Sequence, residues 1–284
     1  MSICKSRPTI TVCIPAHNEE ATVGNIVRHL HEHYQRRRQL IDEVIVVDDR
    51  SSDLTAQVAW EAGARVISTR DVCAEFGGSA GKGDAIWASL RACQTELIGW
   101  VDADLVSYPE NMVESLFAPL LEDPIVTLVK GSFCRLDNTG NKVVGGRVTT
   151  LTARPLLEMF FPKLEHLRDP LSGMFAGRTE VLGALMLDAD YGVDIGIVLD
   201  LATKYGSESI CEVQIGELAH RQRPLSDLSA MAKMVVRAIV SRVPRTHVTC
   251  YSDMEADLEI THQLVRRMPP RKQTQQLFAF GTGD

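Results

Sequence analysis

Two carboxylates one residue apart, at the end of an apolar run, are the strongest chemical signal in the sequence. Leu97-Ile98-Gly99-Trp100-Val101 passes directly into Asp102-Ala103-Asp104. An apolar run of this length bounded by polar residues reads as a buried strand of a parallel sheet. In open α/β sheets ligands bind just beyond the carboxyl ends of the strands, where Asp102 and Asp104 would stand. Ala103 is too small to crowd them, and the pair suits a hard divalent cation carrying a diphosphate. An isolated DxD also fits a solvated strand-to-loop corner, so the decision falls to the rest of the chain.

Two more polar clusters follow apolar runs: Pro15-Ala16-His17-Asn18-Glu19-Glu20 and Asp48-Asp49-Arg50-Ser51-Ser52-Asp53. In a parallel sheet all three clusters would share one edge. Acids and turn residues at three separate strand ends describe a nucleotide cleft with a metal-held diphosphate far more specifically than any one of them. A fourth candidate is the loop Glu75-Phe76-Gly77-Gly78-Ser79-Ala80-Gly81-Lys82-Gly83-Asp84. It is not a P-loop, because Phe76 stands where that motif needs glycine and Gly83 where it needs Ser or Thr. Ile86 likewise breaks GxGxxG. The loop reads either as an anion site, with Lys82 at a helix N-terminus, or as a plain turn. Downstream, Arg147 reads as a solvated helix start or as the partner of an acid such as Glu158. From the residues alone His220 reads as a capping or surface residue, and Asp194 as the cap of the helix it opens. Asp53 reads as a helix cap, and Asn18 as the cap of the first helix.

The elements that must hold these groups alternate. Thr9–Ile14, Glu43–Val47 and Arg65–Ser68 read as strands, separated by helical patterns starting near Val23 and at Leu54–Ala62. This βαβαβ order implies a parallel, doubly wound sheet. Helices follow at 85–93 and 109–121, and a fifth strand at 125–130. Beyond Gly131 the pattern loosens: a hairpin turn at 137–141, a helix at 150–160, a short strand at 172–177, a helix at 193–204 and a strand at 210–215. Helical patterns at 225–243 and 254–267 close the chain.

Composition narrows the classes. The 284 residues, 45% hydrophobic and 24% charged, suit one large soluble α/β domain. A formal charge of −7 argues against nucleic acid as a partner. Seven cysteines without a CxxC pair indicate neither a zinc site nor a disulfide framework, and point to a reducing cytoplasm. No apolar run approaches the roughly 18 residues of a membrane span, so no membrane association is expected.

The set PAHNEE, VVDDRSSD and WVDAD resembles the nucleotide-binding half of family-2-like glycosyltransferases with the GT-A fold. Four later segments narrow the resemblance: Ala80–Trp87, Gly145–Thr149, Tyr191–Gly196 and Ala219–Pro224. In matching order over residues 8 to 243, they resemble the glucosyl-3-phosphoglycerate synthases. The resemblance implies a Rossmann-like, mainly parallel sheet and a retaining transferase. Such an enzyme moves glucose from UDP-glucose to the 2-hydroxyl of 3-phosphoglycerate with Mg²⁺ or Mn²⁺.

By the same resemblance Pro15, Ala16, Glu19 and Asp49 would hold the uridine, with His17, Gly81, Lys82, Asp102 and Ala103 in the donor site. Asp104 and His220 would hold the metal. Gly146, Arg147, Val148, Thr149 and Gln222 would bind the acceptor, with Arg147 and Asp194 at the point of transfer. The chain departs from the family pattern at His17 (usually Leu), Asp49 (Ser), Asp194 (Glu) and Gln222 (Asn). The implied organisation is a catalytic domain over 1–224, with a nucleotide-binding half at 1–130 and an acceptor-binding half at 131–224. A helical extension over 225–284 is the candidate for homodimer contacts. The alternatives are a relative using a GDP-sugar or another small anionic acceptor, a sugar-phosphate nucleotidyltransferase, and a non-catalytic nucleotide-binding protein. A nucleotidyltransferase would carry a glycine- and arginine-rich loop where PAHNEE stands. A membrane polymerising transferase is disfavoured by the missing spans and the missing QxxRW.

Overall fold

A computed structural model describes residues 7–78, 81–136, 142–217, 225–244 and 266–272. Its centre is an eight-stranded sheet. In chain order the strands are β1 (Ile10–Ala16), β2 (Glu43–Asp48), β3 (Arg65–Ser68), β4 (Leu97–Trp100), β5 (Leu128–Leu136), β6 (Lys142–Val144), β7 (Phe175–Arg178), then β8 (Leu187–Asp188), β9 (Ile210–Glu217) and β10 (Arg267–Met268). The spatial order is β3-β2-β1-β4-β7-β5-β6, with β9 on the other side of β5, while β8 and β10 form a separate pair. From β3 to β4 all neighbours run parallel; β7 runs antiparallel to both β4 and β5.

This bears out the mainly parallel α/β reading and corrects one detail. The fifth strand starts at Leu128 rather than Ile125, and β7 separates it from β4. Short apolar runs carry no information about which neighbour they will pair with, so the insertion of β7 was not legible. The turn at 137–141 lies outside the described residues, but its flanking strands pair antiparallel, Leu136 opposite Lys142.

The helices are α1 (Val23–His29), α2 (Thr55–Glu61), α3 (Thr69–Val72), α4 (Lys82–Ala92), α5 (Met112–Glu122), α6 (Arg154–Phe160), α7 (Thr179–Leu182), α8 (Val193–Tyr205) and α9 (Leu225–Val240). They cover both faces, which explains why the central strands are apolar throughout instead of alternating. In β1, Ile10, Val12 and Ile14 enter one core with Val27 and Phe117, while Cys13 enters the other with Trp87, Trp100, Phe175 and Leu199. Successive side chains leave a strand on opposite sides, so one run fills two cores.

Of the helical pattern expected at 254–267, only its end is described, and there Arg267 lies in β10. The Arg266 guanidinium donates to the Gly78 carbonyl at 2.6 Å and to the fully buried Asp84 at 3.0 Å. Trp87 Nε1 donates to the Pro269 carbonyl at 2.7 Å. Buried Arg242 joins Asp188 to Asp200, and Arg267 also reaches Asp188. Among the described residues no helix is long and apolar enough to cross a membrane.

Candidate active site

The loops after β1 and β2 lock into each other. Asn18 and Arg50 both take positive φ, 55° and 61°, turning the chain sharply off the strand ends. Asn18 does not cap α1; its Oδ1 accepts from the Ser52 amide at 2.8 Å, and its own amide donates to Ser51 Oγ at 3.0 Å. The Glu19 amide donates to Thr55 Oγ1 at 2.7 Å. Asp53 stands one residue before Leu54, the N-cap of α2, where its carboxylate accepts from the Thr55 amide at 3.0 Å and also receives the Glu20 amide. His17 Nδ1 lies 2.6 Å from the Asp49 carbonyl, and the Asp49 carboxylate takes Arg50 and Thr69. Thr22 in turn donates to the Ala103 carbonyl at 2.7 Å, tying this rim to the end of β4. Pro15, Ala16, His17, Glu19, Asp49, Ala103 and Asp104 therefore gather at one sheet edge.

The two carboxylates differ in their surroundings. Ala103 is buried, with Asp102 and Asp104 half-buried on either side. Asp102 leans inward against Gly173, where a Cβ would run into Asp102 Oδ1 and lie 3.1 Å from Lys82 Nζ. Gly173 is thus a residue that only hydrogen permits. Gly83 is another, since any Cβ would collide with the Asp188 carbonyl. That contact presses the start of α4 onto the 188–194 segment.

Lys82 and Asp194 meet across this contact, Nζ to Oδ2 at 2.7 Å, with side chains 19% and 5% exposed. They come from opposite halves of the chain. Burial opposes the charge on Lys82, but Asp194 and Asp102 outweigh it and hold the ammonium above its ordinary value. Asp194 is therefore no mere helix cap. Its Oδ1 is buried and has no hydrogen-bond partner among the described residues, which leaves one acceptor for a ligand hydroxyl. Gly81, the residue before α4, adopts an extended conformation beside Ala189 and Asp190.

After β6, Gly145 takes a positive φ of 81° and starts the turn that carries Gly146, Arg147, Val148 and Thr149. Arg147 is exposed and Thr149 is buried, donating to Asp169 Oδ1 at 3.0 Å. The acid Glu158 pairs with Arg154, not Arg147. His220 and Gln222 lie outside the described residues.

One group escaped the sequence reading. Lys130, 1% exposed in β5, donates to the Ser172 carbonyl at 2.7 Å and stands over the Phe175 ring at 4.6 Å. Burial pushes its ammonium down to about 8, against the pull of Asp194. The signal was a lysine directly after Leu128-Val129 and three residues before Phe133, inside a strand whose neighbours are buried.

Among the described residues no three His, Cys, Asp or Glu side chains form a ready metal cage. Magnesium does not require one, since it keeps one or two carboxylates and takes its other ligands from phosphates and water. Asp104, a hard oxygen donor at the open sheet edge, fits such a cation.

Residues 11–185 match the model of glycosyl transferase family 2. Glucosyl-3-phosphoglycerate synthase of Petrotoga mobilis is 34% identical over 272 residues, 93% of this chain and 81% of that protein. The enzyme of the same name from Mycolicibacterium smegmatis is 38% identical over 85% of this chain and 80% of its own length. The chain belongs to glycosyl transferase family 2, among the glucosyl-3-phosphoglycerate synthases. A solved structure of the Mycobacterium tuberculosis glucosyl-3-phosphoglycerate synthase, in complex with Mn²⁺, UDP-glucose and phosphoglyceric acid, is 37% identical to this family 2 transferase. It superposes with a TM-score of 0.75, covering 83% of this chain and 80% of that one. A second, with Mg²⁺ and UDP, gives 0.74 over 83% and 79%.

Proposed function

We propose that this transferase moves glucose from UDP-glucose to the 2-hydroxyl of 3-phosphoglycerate, with retention at the sugar carbon. The observation that carries the reading is the Lys82–Asp194 pair, which joins the nucleotide-side loop to the acceptor half in a chain that aligns with these synthases over most of its length. Pro15, Ala16, Glu19 and Asp49 hold the uridine, Gly81 and Lys82 also line the nucleotide site, and Asp102 contacts the ribose side.

Asp104 and His220 would hold Mg²⁺ or Mn²⁺, which, when bound, offsets the negative charge left on UDP as the sugar departs. Lys82 adds a fixed positive charge at the same junction, in surroundings where water is scarce. Arg147, through its planar fork, takes the acceptor's phosphate or carboxylate, and Gly146, Val148, Thr149 and Gln222 shape that pocket. Asp194 Oδ1 accepts from a sugar or acceptor hydroxyl and so sets its direction. Transfer proceeds on one face of the sugar, the leaving phosphate taking the acceptor's proton.

The reading includes a cytoplasmic homodimer with a catalytic body over 1–224. In support, Cys13, Cys73, Cys93, Cys134 and Cys211 carry free thiols. Exposed Leu151 and Met159 offer an apolar surface on the helical layer that packs on α9, and sedimentation tests whether it pairs. The substrate reading is tested with a panel of UDP- and GDP-sugars against small phosphorylated acids, with and without Mg²⁺. UDP release confined to UDP-glucose with 3-phosphoglycerate and metal is expected; preference for a GDP-sugar or for another acid would replace the reading.

A further inference from the structure

A buried ammonium needs a reason. Lys130 is 1% exposed, and no carboxylate lies within ion-pair distance of it among the described residues. Isolated charges at such depth are costly, and an apolar residue of equal volume is often neutral or stabilising in their place. What Lys130 touches suggests the return. Its Nζ grips the Ser172 carbonyl, and the next residue in β5, Gly131, donates its amide to the Met174 carbonyl at 2.8 Å. The turn between them, Ser172-Gly173-Met174, is the wall against which Asp102 and Lys82 pack with no room for a Cβ.

We propose that Lys130 is a positioning residue of the transfer site: it pins the Ser172–Gly173 turn behind Asp102 and Lys82, and supplies a second buried positive charge facing Asp194. The charged groups around it come from four elements. Lys82 stands on α4, Asp102 follows β4, Asp169 precedes β7 and Asp194 opens α8. The set holds three acids and two cations, so removing Lys130 leaves Lys82 alone to balance them. With the Ser172–Gly173 turn no longer pinned, the wall behind Asp102 and Lys82 can move and carry the Lys82–Asp194 pair with it. Errors of that kind, around an ångström, cost on the order of a hundredfold in rate.

The proposal rests on the glucose-transfer reading, and one experiment separates the two. Lys130→Met is compared with the unaltered chain for melting temperature, kcat, both KM values and the pH dependence of kcat. A purely structural lysine would give a variant of changed stability with unchanged kcat. The expected result is an unchanged or higher melting temperature with kcat lowered tenfold or more. The unaltered chain should lose kcat above about pH 8, where Lys130 gives up its proton. A folded Lys130→Met with normal kcat overturns the proposal. If that variant does not fold, a kcat of the unaltered chain that stays flat to pH 9.5 overturns it. Absence of acid-dependent UDP release from the unaltered chain overturns the transfer reading and, with it, this role.

Discussion

The two ends of the sheet build their share of the site by different means. In the parallel part, from β3 to β4, polar residues leave apolar strands and are held at the exposed rim by the loop of the adjacent strand: Asn18 by Ser51 and Ser52, Glu19 by Thr55, Glu20 by Asp53. In the mixed part, around β5, β7 and α8, the groups that meet are charged and buried. Lys82 meets Asp194 after 112 residues, and Lys130 meets the Ser172 carbonyl after 42. A rim made by short loops can admit and release a nucleotide. A floor made of desolvated charges fixes geometry and strengthens every electrostatic contact made on it.

If this contrast holds, damage at the two places should look different. The largest effect is expected where both parts serve one cation. Asp104→Ala and His220→Ala should each lower transfer by about a thousandfold or more while the melting temperature stays near normal. Near-normal turnover in both, measured at saturating Mg²⁺, would remove the metal assignment. A smaller and more selective loss is expected on the acceptor side. Arg147→Ala should raise the KM for 3-phosphoglycerate roughly 10- to 100-fold, the loss of one charge-assisted hydrogen bond, with the UDP-glucose KM little changed. Equal shifts in the two constants would mean that Arg147 does not distinguish acceptor from donor.

The smallest effect concerns acid stability on the nucleotide side. Burial, with help from neighbouring His33, holds His29 below the ordinary histidine value of 6.5. Its ring stacks on Tyr108 at 4.6 Å and on His33 at 5.3 Å. The folded chain therefore resists a proton that the unfolded chain accepts. The stability contribution is present above pH 6.5 and is lost as pH falls through the lower folded value. Melting scans at pH 7.5 and 5.5 should show a drop of about a few degrees that His29→Leu reduces; an equal drop in both proteins would acquit His29.

The same contrast explains what could be read from the sequence. Apolar runs ending in acids announced β1, β2 and β4 and their shared edge, because strand, turn and cap signals are local. The position of β7 between β4 and β5 depends on pairing across some 75 residues, and no local pattern encodes it. Asn18 was misread for a related reason: Asn caps helices and also tolerates positive φ, and only the nearness of Ser52 decides between the two. Gly83 looked like a broken phosphate loop, whereas its missing side chain is what lets α4 lie on the 188–194 segment. Lys130 could have been suspected from its place in an apolar strand, but its partners could not.

The most direct measurement counts products. With Mg²⁺, UDP-glucose and 3-phosphoglycerate, the account predicts one glucosyl-3-phosphoglycerate, of the same anomeric configuration as the donor, for every UDP released. UDP released equally with and without the acid, or a product of inverted configuration, would contradict it.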